Sequence, residues 1–186
     1  MINIKKPKHK KIKDLEKFFI EKGLKRLVDL SKKKKPSVNQ MVLDEPYVPE
    51  LNDLYNLYQF VLINKRTTIL EFGSGWSTLI FSLALKELAD RFAQKVKLLR
   101  RNNPFELFVV ENEKKYLNIT KKRILQFNKY LKIKKPVKIN YTLSDVEMVT
   151  FKNKICTQYK KLPLCNPDFV YLDGPDQFNI KKDING

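Results

Sequence analysis

A chain of 186 residues with 42% apolar content can bury one real core, so one principal domain with appendages is expected. No stretch reaches the roughly 18 to 20 uninterrupted apolar residues of a membrane-spanning helix, and the basic start MINIKKPKHKKIKDLEKFF has no apolar run behind it to serve as a signal peptide, which makes a cytoplasmic location the expectation. Cys156, Cys165 and the single histidine, His9, do not make a zinc site, and the two thiols are expected reduced, in or near a loop; the formal charge of +18 raises the question of an anionic partner.

That charge is concentrated at the start. Residues 1 to 37 hold 14 Lys and Arg against 4 Asp and Glu, so +10 of the total sits there and +8 is spread over the rest. Lysine outnumbers arginine 32 to 6, whereas nucleic-acid grooves favour the bidentate guanidinium. The excess therefore reads first as a solvated basic surface, with attraction to nucleic acid, an anionic membrane or a glycan as the alternative.

Within this segment Leu15, Phe18, Phe19, Leu27 and Leu30 fall near helical spacing, which predicts an amphipathic helix over 12–30 with Gly23 as its weak point. The run KKKKPS at 32–37 reads as a hinge, giving a basic helical appendage over 1–37 and a main domain over 38–186. The two prolines around Tyr47 predict an extended segment at 41–50. Leu51, Leu54, Tyr55, Tyr58, Val61 and Leu62 then predict a helix over 49–64.

From Thr67 short apolar runs alternate with long amphipathic ones. Strands are expected at 67–72, 105–111, 137–143 and 168–173, with helices at about 77–99 and 114–131 between the first three. Strand, helix, strand, helix, strand is the pattern of a doubly wound, mainly parallel α/β sheet with helices on both faces.

In such a sheet the ligand lies beyond the carboxyl ends of the strands. Three of the four expected strands end there in an acid, Glu71, Glu111 and Asp173, and Asp145 follows the third within two residues. After Glu71, Gly73 and Gly75 permit positive φ and close approach of a ligand, while Ser77 and Thr78 open the next helix, where N–H groups and hydroxyls can meet an anion. Glu111 is placed to accept both hydroxyls of a ribose. The absence of Gly-Lys-Ser/Thr excludes a P-loop. A dinucleotide site and a ligand-free strand-to-helix turn remain as alternatives for Glu71 to Ser77.

Taken together, EFGSGWS after the first strand, VVENE ending the second and DFVYLDGP ending the fourth resemble class I S-adenosylmethionine-dependent methyltransferases, over about Pro46 to Gly174. The resemblance implies a Rossmann-like fold in which Glu71 and the Gly73-Ser74-Gly75 loop hold the amino-acid end of S-adenosylmethionine, with Ser77 where many members have a third glycine. It also implies that Glu111 holds the ribose, that Ser144 and Asp145 meet the adenine edge, and that Asp173 lies near the transferred methyl group. Thr78 belongs to the same loop, and Trp76 either borders the cofactor or packs against the neighbouring helix. Asp173 is the candidate base, or else caps the Gly174-Pro175 turn, and Asp176 could share either role.

The Glu71 to Glu111 spacing of 40 residues exceeds the ~20 of the dinucleotide fingerprint, so KVKLLRRNNPFE should belong to a longer crossover. Members of the family usually carry a larger sheet than four strands; in the order third, second, first, fourth that the resemblance implies, the fourth strand is left as an exposed edge, which leads us to expect a C-terminally truncated chain. The implied activity is O-methylation of a small molecule or glycan, without a metal. The alternative is a nucleic-acid-binding protein or RNA methyltransferase that uses the basic N-terminal arm.

Overall fold

The computed structural model describes residues 4–33 and 46–175. Most of the hinge expected at 32–37, the first part of the extended segment at 41–50, and Asp176 lie outside these residues. The helix expected over 12–30 is two helices, α1 (Ile12–Glu21) and α2 (Lys25–Ser31). Gly23 separates them at φ +75, and the Gly23 and Leu24 N–H groups close the end of α1 onto the Ile20 and Phe19 carbonyls at 2.9 and 2.8 Å. A glycine in the left-handed region is thus a helix terminator here, where the periodicity alone reads as continuous.

Leu15, Phe19, Leu27 and Val28 of this pair belong to the same buried cluster as Leu51, Leu54, Tyr58 and Val61 of α3 (Leu51–Ile63). Phe18 meets Tyr55 and Tyr58 edge-on, with ring centroids 5.1 and 5.2 Å away. The Tyr58 hydroxyl donates to Glu87, whose carboxylate also takes Lys22 Nζ at 2.7 Å and Arg91 at 2.5 Å. Those contacts satisfy a phenol that would otherwise be stranded in the core.

The remaining elements are β1 (Thr68–Phe72), α4 (Trp76–Lys97), β2 (Glu106–Glu111), α5 (Lys114–Tyr130), β3 (Lys138–Leu143), β4 (Val146–Phe151), β5 (Lys154–Tyr159) and β6 (Phe169–Leu172). Four of the strands form a parallel sheet in the order β3-β2-β1-β6, which is the expected order with β6 as the fourth strand. The run LFVVE in β2 is buried throughout, as a central parallel strand must be. The first turns of α4 are apolar nearly all round because that helix lies between α3 and the sheet, with Leu79, Ile80, Phe81, Ala84 and Leu85 all buried.

No helix or strand is expected between 143 and 168, and the structure has two strands there. Strands β4 and β5 pair antiparallel as a hairpin, so Cys156 stands on a strand. Lys152 and Asn153 both have positive φ, +48° and +61°, the conformation that a two-residue turn with the right twist requires. On β6, Phe169 and Tyr171 pack into the core against Phe81, whereas Val170 and Leu172 are exposed. None of the described helices is long and apolar enough to cross a membrane.

At the amino ends of β1 and β6 the Asp168 carboxylate accepts the N–H groups of Thr67 and Thr68 at 3.0 Å and the Thr67 hydroxyl at 3.1 Å, and faces Arg101 at 3.1 Å. Removing it would strand two backbone donors and a guanidinium. We expect Asp168→Ala to cost about 2–3 kcal/mol, read as a lower urea midpoint at unchanged m-value. A loss below about 0.5 kcal/mol would mean that water replaces the carboxylate at no cost.

Candidate functional site

The site is built at the carboxyl ends of β1, β2 and β6, where the backbone itself closes up. Gly73 N–H donates to Val110 C=O at 2.8 Å, and Asp173 N–H donates to Phe72 C=O at 2.8 Å. Gly73 sits at φ +95, and a Cβ there would lie 2.9 Å from the Asp173 carbonyl oxygen. Its missing side chain therefore admits a neighbouring strand exit, while at Gly75 the backbone is extended at φ −178 and nothing comes nearer to a Cβ than Ser77 Oγ at 4.0 Å. Gly75 is the glycine that leaves open space.

Glu71 points inward from β1 and is fully buried. Its Oε1 accepts the Ser77 hydroxyl at 2.5 Å, and its Oε2 has no hydrogen-bond partner among the described residues. Burial pushes the carboxyl up to about 8; the Ser77 and Thr78 hydroxyls oppose the rise, and the charges of Asp173 and Glu111 add to it. An acid with one empty oxygen at a strand exit is an unmet demand for a cation or a donor.

Glu111, also buried, is held from three sides. Ser74 Oγ donates to Oε2 at 2.7 Å, and the N–H groups of Asn112 and Glu113 donate to Oε1 at 2.9 Å. The loop after β1 and the end of β2 thus share one carboxylate, fixed in orientation. Thr78 Oγ1 accepts the Gly75 N–H at 3.1 Å, which engages that hydroxyl in closing the start of α4.

Trp76 is half-buried and carries the Arg123 guanidinium of α5 at 3.9 Å from its ring centroid. Burial, with Arg26 nearby, lowers Arg123 to about 10. Trp76 is therefore placed in packing with the neighbouring helix. Ser144 is buried: its N–H donates to Glu111 C=O at 2.9 Å, and its hydroxyl donates to the Asp145 carbonyl at 3.1 Å and accepts the Lys161 N–H at 2.8 Å. Its polar atoms tie the hairpin to the sheet, and the Asp145 side chain is exposed.

Asp173 stands at the exit of β6 with its residue surface exposed. Partial burial of its carboxyl raises it above the ordinary carboxylate range and the charge of Asp53 adds to this, against a hydrogen bond with Tyr171. Tyr171, pushed up to about 12 by burial, feels Asp173, Glu71 and Asp53 together. The structure thus brings Glu71, Ser74, Gly75, Ser77 and Glu111 into one cluster, sets Asp173 beside it, and places Asp145 outward.

Sequence reasoning passed over Asp53, Tyr171 and Tyr159. The last closes β5, and its ring lies 5.2 Å from that of Phe72 at the exit of β1. Ile155 and Thr157, on the same face of the strand, are exposed, so alternation along KICTQY gave no signal for it. An open trough of about 800 Å³ runs from Phe72, Tyr159 and Leu172 past Gly174 to Phe151 and Cys156. Among the described residues no group of His, Cys, Asp and Glu side chains is arranged to hold a metal ion. The chain matches no protein-family model, no curated protein and no solved structure.

Proposed function

We propose that the chain has a doubly wound, Rossmann-like fold that binds S-adenosylmethionine and supports methyl transfer to a hydroxyl of a small molecule or glycan. The observation that carries this reading is Glu71, a buried acid with an unpartnered oxygen at the exit of β1 beside the open space at Gly75. A cationic ammonium group meets that demand. A dinucleotide would instead bring its pyrophosphate to Glu71, Glu111 and Asp173, three acids in one cleft.

When bound, S-adenosylmethionine supplies an electrophilic methyl group on a sulfonium. The chain's own part is to bind and orient. Glu71 takes the ammonium, and Glu111, already fixed by Ser74 and two backbone donors, accepts from the ribose diol. Asp173, with its affinity for protons raised, accepts the proton of an acceptor hydroxyl brought to the exit of β6.

The test is thermal unfolding of the full chain with S-adenosylmethionine and, separately, with NAD. At about 100 times its Kd a ligand adds roughly 2.7 kcal/mol, which for a chain of this size raises Tm by about 5–10 °C. We expect that rise with S-adenosylmethionine only, and its loss in Glu111→Ala. A rise with NAD alone would overturn the reading in favour of a dinucleotide site.

A further inference from the structure

The basic segment before α1 is not a loose arm. Lys5 N–H donates to Asn64 Oδ1 at 2.9 Å just past the end of α3, and Asn64 Nδ2 donates back to the Lys5 carbonyl at 2.9 Å. Farther along, Lys10 Nζ lies 5.3 Å from the centroid of the Tyr55 ring on α3. Residues 4–11 are thus laid along α3 and lead into α1, whose Leu15 and Phe19 are buried in the same cluster as Tyr55 and Tyr58. Residues 4–33 carry 12 Lys and Arg against 4 Asp and Glu, a net +8 held on a fixed scaffold.

Two kinds of side chain are exposed on it. Lys5, Lys6, Lys8, Lys11, Lys13 and Lys17 are exposed, and between them Ile4, Ile12 and Ile20 are 55%, 59% and 48% exposed. On α1, Lys13, Lys17 and Ile20 fall at i, i+4 and i+7 and so share the face opposite Leu15 and Phe19. The acids neutralise little of this: Glu16 faces Lys32 at 3.1 Å, and Glu21 meets Lys17 only at 3.9 Å with both side chains exposed.

Ammonium groups interleaved with branched alkyl groups fit a layer that is anionic outside and apolar beneath. From this arrangement we infer that the outer surface of residues 4–20 docks on an anionic phospholipid bilayer, with the lysines at the headgroup phosphates and the isoleucines at the acyl boundary. Nucleic acid fits the surface less well. Arg26 is the only arginine of 4–33, and Phe18 and Phe19, its only aromatic rings apart from His9, turn toward α3 and the core instead of offering a platform for a base.

The experiment is sedimentation of the full chain with vesicles of phosphatidylcholine alone and with about 30% phosphatidylserine, at about 0.15 M salt, beside titration with a single-stranded RNA. Three variants are compared after thermal unfolding of each. The first carries Lys6→Gln, Lys8→Gln, Lys11→Gln and Lys13→Gln; the second, Ile12→Ser and Ile20→Ser; the third removes as many charges on and after the β4–β5 hairpin through Lys152→Gln, Lys154→Gln, Lys160→Gln and Lys161→Gln. We expect binding to the anionic vesicles only, weakened roughly 100-fold or more in the first variant, roughly tenfold in the second and less than about threefold in the third, with each Tm close to the parent's.

No binding of the folded parent chain to anionic vesicles would overturn the inference. An equal loss in the first and third variants would show that diffuse charge, not this surface, is read. An unchanged affinity in the second variant would overturn the lipid assignment, since charge alone serves any polyanion. Tighter binding of RNA than of vesicles, lost in the first variant, would overturn it in favour of nucleic acid.

Discussion

Between about pH 5 and pH 8 Glu71 alone lowers the protein's stability by roughly 1.4 kcal/mol per pH unit, a contribution that Glu71→Gln removes. The native carboxyl is raised from 4.5 to about 8 by burial, so over this window the folded chain holds a proton that the unfolded chain has released. A raised group stabilises fully below its unfolded pKa, and the contribution drains away as pH climbs through the folded value. Above about 8 both states are ionised and the slope ends. Asp173 shifts in the same direction, Glu87 is lowered and acts only in acid, and the buried tyrosines titrate above the window. Urea unfolding at pH 5, 6, 7 and 8 measures the slope. A parent chain and a Glu71→Gln chain with parallel pH profiles would show that Glu71 is ionised when folded, with a partner at Oε2 after all.

Gly73→Ala should cost about 3 kcal/mol or more, while Gly75→Ala costs less than about 1 kcal/mol and weakens ligand binding instead. At Gly73 an L side chain pays about 1–2 kcal/mol for positive φ and then meets a backbone oxygen at 2.9 Å, which cannot rotate away. At Gly75 the backbone is extended and the new methyl enters open space, the space a ligand would use. The two glycines of one short motif thus divide between folding and binding. Urea midpoints of both variants, with S-adenosylmethionine titrations of each, make the comparison. A Gly73→Ala chain within about 1 kcal/mol of the parent would mean that the exits of β1 and β6 can separate.

The parallel sheet was legible because strands and helices alternate from Thr67 and because the run at β2 is apolar on both faces, as a central parallel strand is, while the strand order followed from the family resemblance. The acids at the strand exits were equally visible, each closing an apolar run. The hairpin was not. VEMVTF breaks the alternation at Met148-Val149, and the two-residue turn to KICTQY is Lys152-Asn153, which lacks the Asn-Gly or Asp-Gly signal that marks such turns. Missing the hairpin hid Tyr159, since a tyrosine in a loop has no defined direction. The break at Gly23 was hidden differently, because apolar spacing continues across it and only φ reveals the stop. At the site, one-dimensional reading names Ser74 and Ser77 as ligand-facing, whereas the fold first gives their hydroxyls to Glu111 and Glu71.

Glu71 joins the fold to the proposed chemistry, because an ammonium brought to its unpartnered oxygen favours the ionised form and so expels the proton that burial retains. The direct measurement is calorimetric titration of the full chain with S-adenosylmethionine at pH 7 in two buffers of different ionisation enthalpy. Saturable binding that releases close to one proton, with the release abolished in Glu71→Gln, is the predicted result. No saturable binding by a chain shown to be folded, or binding with no proton released, would contradict the account.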